Sequence, residues 1–132
     1  MISVEEIDID VPCDRLAIWG LYDLTIHVAS YAEVPANDRW QLYIDADAIV
    51  LPLRIVGAGH FSTMPAEEHR IKLGEALRSQ GVPAHWRKSW PILCDAQGPL
   101  WILGGARSAR AIRPDCQHPA LYIRLDKCLN VK

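Results

Sequence analysis

The chain has 132 residues, half of them hydrophobic, and a formal net charge of −2 at pH 7. This length fits one domain, residues 1–132, with a sizeable core. No apolar run approaches the roughly 18 residues that span a bilayer, and the acidic start MISVEEIDID is unlike a signal or transit peptide. We therefore expect a cytoplasmic protein with no membrane partner, and the net charge alone argues against a nucleic-acid binder.

The distribution of the charges is more informative than their sum. Residues 1–68 carry three basic and twelve acidic side chains, whereas residues 69–113 carry eight basic and two acidic ones. Segregation of this size favours a face that attracts a polyanion. The alternative is that the two halves neutralise each other across the fold. The basic side chains of the second segment are Arg70, Lys72, Arg78, Arg87, Lys88, Arg107, Arg110 and Arg113.

The first half of the chain is predicted to be rich in strands. This holds for residues 1–42, which lead into the rest of the domain, and for the residues that follow them. Near-alternating apolar residues indicate strands within residues 4–11, 16–18, 21–31 and 40–44. Pro52 interrupts a further apolar run over residues 49–56, which predicts an edge strand or a bend. Asp45 and Asp47 would share one face of a strand and could hold a cation there, but we favour the interpretation that they cap the turn after Ile44.

The second half is predicted to contain the only clear helix. Leu73, Ala76 and Leu77 recur at helical spacing, which predicts a helix over about 70–80 that Gly81 ends. Pro83 then fits the start of a short second helix over about 83–88, and Pro91 ends it. Two apolar runs predict a hairpin over about 92–103, and a last strand follows at 120–125 in a tail of residues 114–132. The expected fold is α+β and β-dominated, with a mixed or antiparallel sheet.

The residues suggest neither a catalytic centre nor a metal site. The cysteines are scattered without a CxxC pair, and no histidine lies near an evident nucleophile with a supporting acid. Cys94 lies in an apolar strand and is expected to be buried. Trp40 and Trp101 are expected in the core. Trp86 and Trp90 flank Arg87 and Lys88, a pattern that could stack on exposed bases, although burial of the short helix is the more common reason for it.

An ordered set of short motifs resembles the C-terminal domain of tRNA(Ile)-lysidine synthetase, a domain related to one in the β subunit of phenylalanyl-tRNA synthetase. The resemblance covers residues 43–113. It begins with Tyr43-Ile44-Asp45-Ala46-Asp47 and Leu51-Pro52-Leu53-Arg54, and the Gly-rich turn 57–61 lacks the acid that the family has there. It continues through Lys72-Leu73, Val82-Pro83, Arg87, Trp90-Pro91, Asp95, Gly98, Trp101 and Gly104.

The resemblance implies an accessory tRNA-binding domain of an ATP-dependent tRNA-modifying ligase that acts on an anticodon cytidine. ATP and Mg²⁺ would belong to a pyrophosphatase-type catalytic domain, in cis or in trans, because the Ser-Gly-Gly-x-Asp-Ser motif of that domain does not occur here. By position, Lys72 and Arg87 are the best-matched cations. The charge distribution adds three more predicted RNA-binding residues, Arg70, Arg78 and Lys88. The alternative function is a docking module for a separate catalytic subunit.

Overall fold

The computed structural model describes residues 7–9, 13–18, 22–29, 40–65, 70–111 and 120–127. Ten strands and one α-helix form within these ranges, together with three short 3₁₀ segments, Ala46–Ala48, Ala58–His60 and Ala84–Ser89. The α-helix, α1, is Leu73–Gln80. The strands are β1 Ile7–Ile9, β2 Cys13–Ile18, β3 Tyr22–Ala29, β4 Gln41–Asp45, β5 Leu53–Gly57, β6 Thr63–Pro65, β7 Arg70–Lys72, β8 Pro91–Asp95, β9 Gly98–Ile102 and β10 Ala120–Lys127.

The strands pair into two four-stranded sheets and one short hairpin, and every described pair is antiparallel. The first sheet, which we call the central sheet, has the order β1-β5-β8-β9. The second, the outer sheet, has the order β2-β3-β10-β4. The hairpin pairs β6 with β7 and leads directly into α1. This arrangement confirms the predicted α+β, β-dominated fold.

The main hydrophobic core lies between the two sheets. Leu24 and Ile26 of the outer sheet and Leu53 and Ile55 of the central sheet are fully buried in it. Trp101 of β9 is fully buried in the same core, as its place in an apolar run predicts. Side chains alternate across a strand, so the opposite face of the outer sheet carries polar groups such as the exposed Arg124.

A second core lies on the other face of the central sheet. Ile92 and Ile102, which are register partners, pack there against Leu73 and Leu77 of α1. All five residues of β8 are buried, because one face of this strand contacts the outer sheet and the other contacts the helical layer. The molecule thus has three layers, and the helical layer consists of α1, the 3₁₀ helix Ala84–Ser89 and the β6–β7 hairpin.

The predicted helix over 70–80 is wrong at its start. Residues Arg70–Lys72 form β7, whose partner is β6, and the helix begins at Leu73. The reason is visible in the pattern: Ile71 is half-buried against the second core, while Arg70 and Lys72 are exposed, which is the period of a strand. The backbone N–H of Leu73 donates to the carbonyl of Ser62 at 3.0 Å, which ties the first residue of α1 to the hairpin.

The other predicted elements are found with small changes of boundary. The C-cap of α1 is Gly81 with φ of +91°, a left-handed conformation that glycine adopts without a Cβ clash. The second helix is a 3₁₀ helix, and the hairpin of β8 and β9 turns at Ala96 and Gln97. Pro52 marks a bend before β5; the edge-strand alternative is wrong, since β5 lies between β1 and β8. The predicted strands around residues 4–11 and 21–31 lie partly outside the described residues.

The described helices do not include one that is both long and apolar enough to cross a bilayer.

Candidate nucleic-acid interface

Three of the five predicted cations line one concave surface, which we call the cationic cavity. Its volume is about 460 Å³, and Lys72, Arg78 and Arg87 all contribute to its lining. Gly74 and Glu75, from the first turn of α1, line it as well. Three cations against one carboxylate leave the cavity with net positive charge, and β7, α1 and the 3₁₀ helix Ala84–Ser89 supply one cation each.

The N-terminus of α1 adds to this positive potential. Backbone N–H groups at the start of a helix carry partial positive charge and bind anions readily. Lys72 is the N-cap residue, and within the described chain its side chain makes no capping hydrogen bond. The ammonium group of Lys72 and the end of the helix therefore act in the same direction, and Glu75 offsets part of their effect.

Arg70 lies at the rim of the cationic cavity. It precedes Lys72 by two residues on β7, so the two side chains leave the same side of the strand, and both residues are exposed. Its Nε donates a hydrogen bond of 2.7 Å to Oγ1 of Thr63, which lines the cavity. The register of the hairpin pairs Thr63 with Lys72, so these three residues form one polar edge.

Arg87 is fixed in place by the backbone around it. Its Nε donates to the carbonyl of Val82 at 3.0 Å, which folds the side chain back along the 3₁₀ helix toward α1. Lys88 lines a smaller hollow of about 150 Å³ that shares Gly74 and Arg87 with the cationic cavity. The structure thus brings all five predicted cations to the helical layer, three in the cavity and two next to it.

The Gly-rich turn has a structural purpose that the sequence pattern did not reveal. A Cβ on Gly57 would lie 2.8 Å from the carbonyl oxygen of Lys88, and one on Gly59 would lie 3.3 Å from the same atom. Only glycine allows the 3₁₀ helix to approach this closely. The turn therefore positions Arg87 and Lys88. Within the turn, Nδ1 of His60 lies 3.1 Å from the carbonyl oxygen of Gly57.

The two tryptophans that flank the cations differ in burial. Trp90 is 8% exposed, belongs to the second core and donates its Nε1 hydrogen to the carbonyl of Leu103 at 3.1 Å. Trp86 is 37% exposed and meets the ring of His85 edge-on, with 5.6 Å between the ring centroids. The interpretation as a buried aromatic therefore holds for Trp90 and not for Trp86.

Arg110 belongs to the predicted basic segment but takes part in a different interaction. Its guanidinium forms two hydrogen bonds with the Asp95 carboxylate, at 2.9 and 2.7 Å. The side chain of Asp95 is fully buried and also accepts the backbone N–H groups of Val50 and Gln97, each at 2.9 Å. Burial alone would raise the pKa of Asp95, but these hydrogen bonds and the Arg110 charge hold that pKa below its ordinary value. Beyond the turn residue Asp95 itself, no sequence pattern indicated this pair.

Asp45 and Cys94 have structural roles in the described part of the chain. Asp45 accepts the backbone N–H of Asp47 at 2.9 Å and caps the 3₁₀ turn Ala46–Ala48, so the capping interpretation is confirmed. Cys94 is 4% exposed, as predicted, and burial raises the pKa of its thiol. Within the described ranges, no three histidine, cysteine, aspartate or glutamate side chains come close enough together to hold a metal ion.

Comparison with known proteins gives one clear result. No family model matches the chain, and no curated protein matches it. Among solved structures, a crystal structure of the TILS C-terminal domain aligns with a TM-score of 0.83 over 96% of this chain and 98% of that one. The chain has the TILS C-terminal domain fold.

The two sequences are 22% identical, so this match is a likeness of fold. It confirms the resemblance predicted from residues 43–113, because TILS is the tRNA(Ile)-lysidine synthetase to which those motifs pointed. It also extends the resemblance beyond them, since the alignment covers 96% of this chain.

Proposed function

We propose that this chain is a tRNA-binding accessory domain of a lysidine-synthetase-like protein. The observation that carries the proposal is the cationic cavity, in which Lys72, Arg78 and Arg87 converge on a fold shared with the TILS C-terminal domain. Phosphates of the RNA backbone lie against these cations, with Arg70 and Lys88 beside them. Contacts of this kind position an RNA without reading its sequence.

The chemistry of modification belongs to a separate catalytic domain in this proposal. That domain, of the pyrophosphatase type, binds ATP and Mg²⁺ and adenylates the anticodon cytidine, while the present chain holds the tRNA for it. The absence of the Ser-Gly-Gly-x-Asp-Ser motif from this sequence supports such a division of roles. The domain acts through affinity and orientation, so its loss should weaken tRNA binding rather than change the reaction.

The test is the binding of labelled bulk tRNA, measured by fluorescence anisotropy at several salt concentrations from roughly 50 to 200 mM. Four or five phosphate contacts predict a log–log slope of affinity against salt of roughly −3 to −4. Lys72→Ala and Arg78→Ala should each weaken binding and reduce the slope by about one. Both side chains are exposed, so neither change should affect folding.

Arg124→Ala is the matched control, because it removes one exposed arginine from the opposite face of the molecule. It should leave both the affinity and the slope near the wild-type values. An equal effect of all three substitutions would show that only net charge matters, and a slope near zero would contradict phosphate binding altogether.

The docking alternative is favoured by a different observation. Val50 and Leu51 are 41% and 63% exposed, and the backbone of this loop is held by Asp95 and by a 2.8 Å hydrogen bond from the Ala96 N–H to the Val50 carbonyl. A fixed, exposed apolar tip suits contact with another protein surface. Leu51→Ser should then weaken association with a pyrophosphatase-type catalytic domain added in trans and leave tRNA affinity unchanged.

A further inference from the structure

We propose that Trp86 is a stacking platform for an unpaired base of the bound RNA. The inference rests on the proposed function. It adds a contact with an RNA base to the phosphate contacts that the cationic cavity makes. Trp86 is the only aromatic among the exposed large hydrophobic side chains of the described residues. A tryptophan has a large apolar ring surface, and the exposed part of Trp86 is available for a base to cover.

Two contacts position Trp86. The Trp86 backbone N–H donates to the carbonyl of Pro83 at 2.9 Å, which fixes the residue in the first turn of the 3₁₀ helix. His85 meets the ring edge-on, with an angle of 75° between the two planes. A ring oriented before binding loses little conformational freedom when a base stacks on it, so more of the stacking energy appears as affinity.

The neighbouring side chains supply the phosphate contacts that a stacked nucleotide needs. A 3₁₀ helix has three residues per turn, so Trp86, Arg87 and Lys88 point in three directions about 120° apart. Arg87 lines the cationic cavity and Lys88 lines the adjoining hollow. In a nucleotide the phosphate and the base leave the sugar in different directions, and adjacent cationic and aromatic side chains match that geometry.

The ligand that fits this arrangement is a single-stranded RNA segment. Bases within a duplex are stacked on each other and present no free face, whereas bases in loops and ends can be splayed onto an aromatic ring. The buried Trp90 cannot serve in this way, since its ring packs in the second core and its Nε1 is bonded to Leu103. Trp86 therefore gives the domain a preference for RNA with unpaired bases, and the cations alone give none.

The experiment compares two probes, a fluorescein-labelled single-stranded RNA of about 12 nucleotides and a blunt RNA duplex of the same length. The Trp86→Ala variant should bind the single strand about 5- to 150-fold more weakly, which corresponds to the stacking of one base. Its affinity for the duplex and its salt slope should equal those of the wild type. Trp86→Phe should retain most of the single-strand affinity. Binding of the single strand should quench the intrinsic tryptophan fluorescence of this variant less than that of the wild type, because the contribution of Trp86 is missing.

The outcomes separate this inference from the proposed function. If Lys72→Ala and Arg78→Ala weaken tRNA binding while Trp86→Ala changes no affinity, the stacking inference is wrong and the proposed function stands. Equal losses on the single strand and the duplex, or full retention of binding by Trp86→Leu, would also overturn it. A wild-type protein that binds neither probe at 50 mM salt would contradict both. Unchanged thermal unfolding of each variant shows that the comparison is made between folded proteins.

Discussion

The pair of Arg110 with Asp95 and the cationic cavity use the same kind of side chain in opposite ways. Arg110 has 22% of its side chain exposed and gives two hydrogen bonds to a carboxylate that is wholly buried. Lys72 and Arg78 are exposed, and within the described chain neither forms an ion pair with a carboxylate. The charges of Arg110 and Asp95 neutralise each other within the fold, whereas the charges of the cationic cavity face solvent.

Burial and pairing therefore divide the residues of a basic segment into structural ones and binding ones. A buried ion pair that has lost one partner leaves an uncompensated charge, so substitution there acts on stability. An exposed cation contributes little to stability but retains its full charge for a ligand. Substitutions at the two sites should therefore have separable effects, on unfolding for the first and on RNA affinity for the second.

The largest effect is expected at the buried pair. Asp95→Ala removes the acceptor of Arg110 and of two backbone N–H groups, and should lower the free energy of unfolding by about 3 kcal/mol. Asp126→Ala breaks the exposed pair of Asp126 and Arg124, whose side chains are 47% and 57% exposed, respectively. It should lower the free energy of unfolding by less than about 1 kcal/mol. Urea denaturation of both variants measures the contrast, and equal losses would show that burial is not what distinguishes the pairs.

Acid should reproduce part of that effect in the wild type. The pKa of Asp95 is lower in the folded chain than in the unfolded one, so its contribution to stability is complete above the unfolded value, about 4. The contribution is then lost as the pH falls through the folded pKa. Denaturation midpoints taken from pH 7 down to pH 3 should fall more steeply for the wild type than for Asp95→Asn. Parallel curves would contradict the ionised pair.

The smallest effect is expected from a charge placed inside the cationic cavity. Gly74 is exposed, and a Cβ there would meet no atom within 4 Å, so the site accepts a side chain. Gly74→Glu should weaken tRNA binding about fivefold by adding a negative charge beside the phosphates. Gly74→Gln has the same size without the charge and should bind as the wild type does, while both gain helix propensity over glycine.

Ser79→Glu provides the control for position, since Ser79 lies one turn beyond Glu75 on α1 and lines a different hollow, with Gly104 and Gly105. It should leave tRNA affinity unchanged. A loss equal to that of Gly74→Glu would mean that the RNA contact is not confined to the cationic cavity.

Local patterns were sufficient to predict most of the elements. The helix, its end and the hairpin could be predicted because the signals for them are local in sequence. These signals are the spacing of Leu73, Ala76 and Leu77, the glycine at 81 and the prolines at 83 and 91. The start of the helix was predicted wrongly because Arg70–Lys72 pairs with β6, a contact that depends on tertiary structure. The apolar Ile71 between two cations indicated a strand, but this alternation covers only three residues and the helical spacing that follows it is longer.

The candidate site was predictable only in part. Counting charges identified the basic segment, but it could not show that Arg110 has a structural role and Arg87 lines the cavity. The role of Arg110 depends on the burial of Asp95, which arises because the hairpin and the loop at Val50 meet in space. The close approach of Gly57 and Gly59 to the 3₁₀ helix was equally hidden, since the two stretches lie some thirty residues apart. Nor could the sequence tell the exposed Trp86 from the buried Trp90, which lie at spacing i, i+4 on one short segment.

The separation of the two hydrophobic cores has a consequence for local opening. The helical layer packs on the central sheet through the second core, which includes Leu73 and Leu77, whereas the two sheets share the main core. A layer that packs through a separate core can unfold as a unit while the main core stays native, and its amide hydrogens then exchange sooner. A ligand in the cationic cavity binds only the closed layer, so RNA should slow exchange in α1 and leave exchange in β3 and β10 unaltered.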